Sequence, residues 1–349
     1  MSLRHSALYI VALMVAPACG AHAASYNFTE INPSGAIASS AQGINDTGTI
    51  VGGYNDATGA GFGFIDIAGS FTQLAPTPAA SCGAFASICN TAFGVNNAGT
   101  VVGTTYTSGG VASGFIYANN SFTALTYPAY GISNKGVIVG QINPTTGFTY
   151  QNGTYTPFTL PNLPANASFV PFGINSSNQI VGTYSSPFTT VPTGPNSSTV
   201  ISGVFSVFLY TLGASSFTLL PEDPNAQTGP GEGTFGVGIN DAGQVVGSFF
   251  ASSAATGLGT LPFVESNGVY STINVTLPSN TAVFDSGADG INNLGDIVGE
   301  YPDPSGELRG FLATPAAAPL PPALPMFAVG VLLIGMFIQR RRRAVPYWH

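Results

Sequence analysis

Gly43-Ile44-Asn45-Asp46-Thr47-Gly48-Thr49-Ile50-Val51-Gly52 is the stretch whose reading decides the fold, because the chain carries it six times. The other copies run from Gly94 to Gly103, Gly131 to Gly140, Gly173 to Gly182, Gly238 to Gly247 and Gly290 to Gly299. Each copy reads as two strand ends joined by a tight turn. Asn-Asp or Asn-Asn just before a Gly supplies the left-handed backbone conformations that a short hairpin needs. Only Asn178 replaces that Gly, and Asn is the residue that tolerates the conformation next best. The Ile-Val or Val-Val pair after the turn suits a buried strand, and the closing Gly leaves room for another backbone. The Asn and Asp residues are assigned to turn chemistry, since no copy has the carboxylate density of a calcium loop.

Two further elements recur after the turn. One is a Gly-Phe strand: Gly61 to Ile65, Gly114 to Tyr117, Gly147 to Tyr150, Val207 to Tyr210, Pro262 to Val264 and Gly310 to Leu312. The other is a Ser-Phe-Thr strand: Ser70 to Leu74, Ser121 to Leu125, Thr154 to Phe158, Ser216 to Leu220 and Val269 to Ile273. Each repeat thus supplies four strands, except that the sixth stops after its third. Ser25 to Ile31 is a spare fourth strand at the other end of the chain.

That offset predicts an all-β, six-bladed β-propeller of four-stranded blades closed by the N-terminal strand, which hides sheet edges that a linear array would expose. The copies lie 51, 37, 42, 65 and 52 residues apart, too uneven for stacked coils but tolerable for blades joined by loops. The Phe and aliphatic residues of the strands are read as packing between blades. Two long insertions stand out, residues 75–91, with Cys82 and Cys89, and residues 185–203, rich in Pro, Ser and Thr. In an oxidising compartment Cys82 and Cys89 are expected to form a loop-stapling disulfide.

Charge and composition exclude several functions. All fifteen acids fall between Glu30 and Glu307, where only Lys135 and Arg309 oppose them, a formal charge of −13. Such a surface repels phosphate backbones, so no nucleic acid is expected as a partner. His5, His22 and His349 all lie outside the repeats, as does Trp348. No His-based nucleophilic triad or His-ligated metal site can be assembled in the repeats. No catalytic residue, cofactor or metal is therefore expected.

The ends of the chain are of another kind. Residues 1–23 have Arg4 and His5, an apolar run from Ala7 to Ala16, and Ala21-His22-Ala23, the layout of a secretory signal peptide. Residues 24–314 then form the ectodomain. Residues 315–349 begin with a Pro-rich linker, continue through an apolar run from Met326 to Ile338, and end with Arg340, Arg341, Arg342 and Arg343. The order predicts a single transmembrane helix whose arginines hold the C-terminus in the cytoplasm.

This tail, with Pro319-Leu320-Pro321 ahead of the apolar run and the four arginines, resembles the PEP-CTERM sorting signal in its Pro-Leu-Pro variant. The resemblance implies export to the envelope or surface of a Gram-negative bacterium, processing by an exosortase at Pro319, Leu320 and Pro321, and association with extracellular polysaccharide and biofilm. The turn motif followed by a Gly-Phe strand is similar to the extracellular HAF repeat over residues 43–312, with Gly61, Gly114 and Gly310 where that repeat has His. Together these features lead us to expect a non-enzymatic surface protein, anchored at least transiently through its C-terminal helix, that binds extracellular polysaccharide or a cell-surface component. A carbohydrate-active enzyme is the alternative, with Asp46, Asp241, Asp289, Asp296 and Glu300 as the carboxylates to supply the pair such chemistry needs.

Overall fold

The structure, a computed structural model, describes residues 25–74, 90–106, 112–187, 189–194, 197–201, 203–229, 231–253, 257–276 and 285–316. The signal peptide, Cys82, Cys89 and the sorting signal from Pro319 to Arg343 lie outside the described residues. Among the described residues no helix is long and apolar enough to cross a membrane.

The described chain is all β, in six four-stranded antiparallel sheets and one extra hairpin. Blade 1 consists of β2 (Ala38–Ile44), β3 (Thr49–Asn55), β4 (Gly61–Ile67) and β5 (Ser70–Leu74). Blade 2 holds β6 (Asn90–Val95), β7 (Val101–Tyr106), β8 (Ala112–Ala118) and β9 (Ser121–Leu125). Blade 3 holds β10 (Ala129–Ile132), β11 (Ile138–Asn143), β12 (Thr146–Gln151) and β13 (Thr154–Phe158). In blade 4, β14 (Ser168–Ile174) and β15 (Gln179–Ser185) are separated from β18 (Phe205–Thr211) and β19 (Thr218–Leu219) by a hairpin of β16 (Thr189–Gly194) and β17 (Ser197–Ile201). The Pro/Ser/Thr-rich insertion is thus partly a hairpin rather than all loop. Blade 5 is β20 (Thr234–Ile239), β21 (Val245–Ser253), β22 (Gly257–Ser266) and β23 (Val269–Thr272). Blade 6 is β24 (Gly287–Ile291), β25 (Ile297–Pro302) and β26 (Leu308–Pro315), with β1 (Tyr26–Ile31) hydrogen-bonded to β26 as its outermost strand. The fold is a six-bladed β-propeller.

Each repeated residue has a separate task. In the turn, Gly48 N donates to Asn45 O and Asn45 N donates to Thr49 O, both at 3.1 Å. Left-handed backbone is confined to the position of Gly48 (φ 78°), which is Asn178 (φ 59°) in blade 4. The Asn-Asp pair is therefore not itself left-handed, contrary to the sequence reading. A type I turn closed by one left-handed residue makes the hairpin instead. The closing Gly lies opposite the Phe of the next strand in all six blades: Gly52 and Phe64, Gly103 and Phe115, Gly140 and Phe148, Gly182 and Phe208, Gly247 and Phe263, Gly299 and Phe311. A Cβ on Gly52 would sit 2.9 Å from the Phe64 ring and 2.0 Å from Ser40 O, so the ring occupies the space that the glycine leaves.

The β-branched pair divides its work between two blades. Ile50 packs in the core of blade 1, whereas Val51 enters the cluster around Val101 and Phe115 of blade 2. The same handover is made by Val102, Val139, Val181 and Val246, and Val298 of blade 6 enters the cluster of Ile44, Ile50 and Phe64 in blade 1. All six of these valines are fully buried. Burying each contributes roughly 1.5–3 kcal/mol, so apolar packing helps to hold each joint between blades.

Candidate functional site

Around the propeller axis the six turns join into a belt. Asn45 Nδ2 donates to Asn96 O of the next blade at 2.9 Å, and Asn96 Nδ2 to Ser133 O at 3.4 Å. Asn175 Nδ2 donates to Asn240 O at 3.2 Å, Asn240 to Asn292 O at 3.0 Å, and Asn292 back to Asn45 O at 3.1 Å. Meanwhile Asn45 Oδ1 accepts from Thr47 N and Thr49 N within its own turn, at 3.1 and 2.9 Å. One buried amide thus caps a turn and ties it to a neighbour. The belt skips from blade 3 to blade 4 because Ser133 has no amide to donate.

The next residue forms a second layer. Asp46 Oδ1 accepts from Asn293 N at 2.7 Å, while its Oδ2 accepts from Asn97 Nδ2 at 2.6 Å and Asn293 Nδ2 at 2.9 Å. Asp241 likewise accepts from Ser176 N at 2.7 Å, Ser176 Oγ at 3.0 Å and Asn293 Nδ2 at 3.2 Å. Burial pushes the Asp46 carboxyl up, but the bonds from Asn97 and Asn293 outweigh it and hold the group below its ordinary value. Asp296 is held inside its own turn by Asn292 Nδ2 at 2.9 Å. Three of the five sequence-nominated carboxylates are therefore hydrogen-bonded parts of the turns and belt.

The other two, Asp289 and Glu300, belong to a different place. Every inner strand carries a β-bulge immediately before the first Gly of its motif, at Gln42, Phe93, Tyr130, Phe172, Val237 and Asp289. The extra residue turns toward the axis. These six residues, with the glycines and the Ile or Val that follow them, line an axial cavity of about 230 Å³. The inner strands pack closely around it: a Cβ on Gly43 would meet Phe93 O at 2.6 Å, and one on Gly290 would meet Gln42 O at 2.9 Å. The ring of Ile and Val side chains also borders the smaller, polar cavity of about 60 Å³ within the Asn/Asp belt.

The cavity is two-sided. Blades 2, 3 and 4 supply Phe93, Tyr130 and Phe172, with centroid separations of 5.5 and 5.4 Å and planes turned by 80° and 53°, so the rings wrap the wall rather than stack. Blades 6 and 1, across the axis, supply Asp289 and Gln42. Asp289 Oδ2 is sealed from solvent and has no hydrogen-bond partner. Burial, and then the neighbouring Glu300, push Asp289 well above the usual carboxylate range; burial raises Glu300 as well. Tyr130 is raised by burial and by Tyr106 behind it. Glu300 also borders a cavity of about 300 Å³ between blades 6, 1 and 2.

Sequence reasoning nominated Asp289 but missed Gln42, Phe93, Tyr130 and Phe172. The available signal was the column just before the motif, where the six copies carry five residue types and Phe alone recurs, at Phe93 and Phe172. Among the described residues no cluster of three or more His, Cys, Asp or Glu side chains could hold a metal.

No protein-family model matches the chain, and no curated protein matches it. Among solved structures, a mutant of the Aleuria aurantia lectin AAL in complex with Fucalpha1-6GlcNAc aligns over 82% of this chain and 99% of that chain, at 10% identity and a TM-score of 0.44.

Proposed function

We propose that this is an exported, non-enzymatic propeller that binds extracellular polysaccharide in its axial cavity, and that its C-terminal signal delivers it to the cell surface as an exosortase substrate. The observation that carries the binding reading is the two-sided cavity: an aromatic arc of Phe93, Tyr130 and Phe172 opposite Asp289, one of whose carboxyl oxygens has no partner. A concave site with apolar walls and a few convergent polar groups is what a small unit of a polymer requires. In this reading β1 closes the ring. Its clasp includes Tyr301 Oη donating to Glu30 Oε2 at 3.0 Å, the Phe28 and Phe311 rings 5.9 Å apart, and Arg309 Nη1 of blade 6 donating to Ile37 O at 2.9 Å.

The non-enzymatic reading is favoured by the use already made of Asp46, Asp241 and Asp296 in the belt. The test is co-sedimentation of the purified protein with exopolysaccharide from the producing cells. Retention of the wild type and its loss on simultaneous Phe93→Ala and Phe172→Ala substitution support the reading, and failure of the wild type to sediment opposes it. For the tail, mass spectrometry of the mature C-terminus gives a fragment ending near Pro319 if the exosortase reading is right, and an intact His349 if the helix is a simple anchor. A second reading rests on the neighbouring Asp289 and Glu300 carboxyls, both raised by burial, since a raised carboxyl is suited to act as a general acid. Release of reducing ends from the polymer would select it.

A further inference from the structure

We infer that the axial cavity is a site for an ammonium-bearing ligand of single-sugar size, such as an amino sugar. This deepens the binding reading above and rests on it.

The first ground is an unmatched acid. Asp289 is among the residues that line the cavity, and its Oδ2 is sealed behind the wall without a hydrogen-bond partner. No Lys, Arg or His is among the residues that line the cavity. Of the two basic residues in the repeats, Arg309 is already engaged by Asp303 at 2.9 Å, and Lys135 sits in the turn of blade 3. A buried acid without an internal cation is costly unless a ligand supplies the missing partner.

The second ground is the opposite wall. Tyr130 belongs to the blade directly across a six-membered ring from Asp289, with Phe93 and Phe172 on either side. Aromatic rings attract a cation through their quadrupole, and Arg or ammonium groups use such surroundings readily. A carboxyl on one side and three rings on the other are the two complements of an ammonium group, which donates three hydrogen bonds and carries a charge. A neutral hexose fits less well, since it brings no positive charge to the carboxyl or to the rings. A divalent cation fits worse still, since it needs six or more oxygens.

The third ground is scale and field. A cavity of about 230 Å³ holds the equivalent of roughly eight waters at about 30 Å³ each, which is the size of one sugar ring. The acidic repeats concentrate cations near the molecule.

Isothermal titration of the mature protein with glucosamine, glucose and N-acetylglucosamine tests the inference. Glucosamine is expected to bind at least tenfold more tightly than either neutral sugar, and Asp289→Asn to remove at least tenfold of that affinity. Asp303→Asn, which removes an equal charge outside the cavity, is expected to leave the affinity within twofold and so separates the site from bulk acidic attraction. Equal binding of glucose and glucosamine, no binding of any of the three, or an unchanged affinity in Asp289→Asn overturns the ammonium assignment. If the wild type then still sediments with the polymer, the binding reading stands without it; if it does not, both fall.

Discussion

Replacing Asn292 by Ala removes the link that joins the last turn to the first. The side chain is 3% exposed and makes four bonds. Its Nδ2 donates to Asn45 O at 3.1 Å and Asp296 Oδ2 at 2.9 Å, and its Oδ1 accepts from Leu294 N and Asp296 N, each at 2.9 Å. At about 1 kcal/mol net per bond, and more for buried backbone groups left unpaired, the loss comes to about 2–4 kcal/mol. In urea this is a fall of about 1 M in the unfolding midpoint at unchanged slope. The chain contains its own control. Ser133 occupies the same position in blade 3, where its Oγ accepts from Val137 N at 3.2 Å but cannot reach across to blade 4 as an amide would. Asn292→Ser should therefore cost about half as much as Asn292→Ala, and Ser133→Asn should add the missing link and gain about 1 kcal/mol. An Asn292→Ala midpoint equal to wild type, or a Ser133→Asn variant less stable than wild type, would show that the belt is energetically idle.

Four more outcomes are expected. Gly299→Ala places a Cβ 2.0 Å from Gly287 O and 2.8 Å from the Phe311 ring, so it should cost about 3 kcal/mol or more by urea unfolding. Gly48→Ala has open space but a φ of 78°, and should cost about 1–2 kcal/mol, with Gly48→Asn milder because Asn178 already adopts that conformation. Asp303 is held to about 2, first by Ser305 and also by Glu307 N and Arg309; a depressed carboxyl stabilises above its unfolded value and loses that effect as pH falls through its folded one, so Asp303→Asn should flatten the stability profile between about pH 4 and 2. Asp289 is raised, the opposite sign: its penalty is absent below the unfolded value and grows as pH rises, so Asp289→Asn should match wild type near pH 4 and exceed it at pH 8 in thermal unfolding.

The motif made the repeat number, the hairpins and the four-strand unit readable, because turn residues and β-branched pairs act locally. Other parts needed the ring. Asn45 could be read as a turn cap, but its second bond goes to Asn96, 51 residues away, and only the placement of neighbouring blades reveals it. Val51 looks like its neighbour Ile50 in sequence, yet it belongs to the core of the next blade. The axial cavity was the least legible feature. Gln42, Phe93, Tyr130, Phe172, Val237 and Asp289 have no one residue type in common, and only the bulge shared by their strands brings them together. Asp289 was nominated for its carboxyl alone; its unpartnered oxygen and the aromatic wall opposite appear only in three dimensions.

The chain's single Trp is Trp348 in the tail, so Tyr130→Trp in a Trp348→Phe background places one fluorophore in the axial cavity. Titrating this protein with the exopolysaccharide should give a saturable change in its emission, abolished by the further change Asp289→Asn. Polymer that sediments with the protein while the emission stays constant would place the binding surface elsewhere and contradict the axial site.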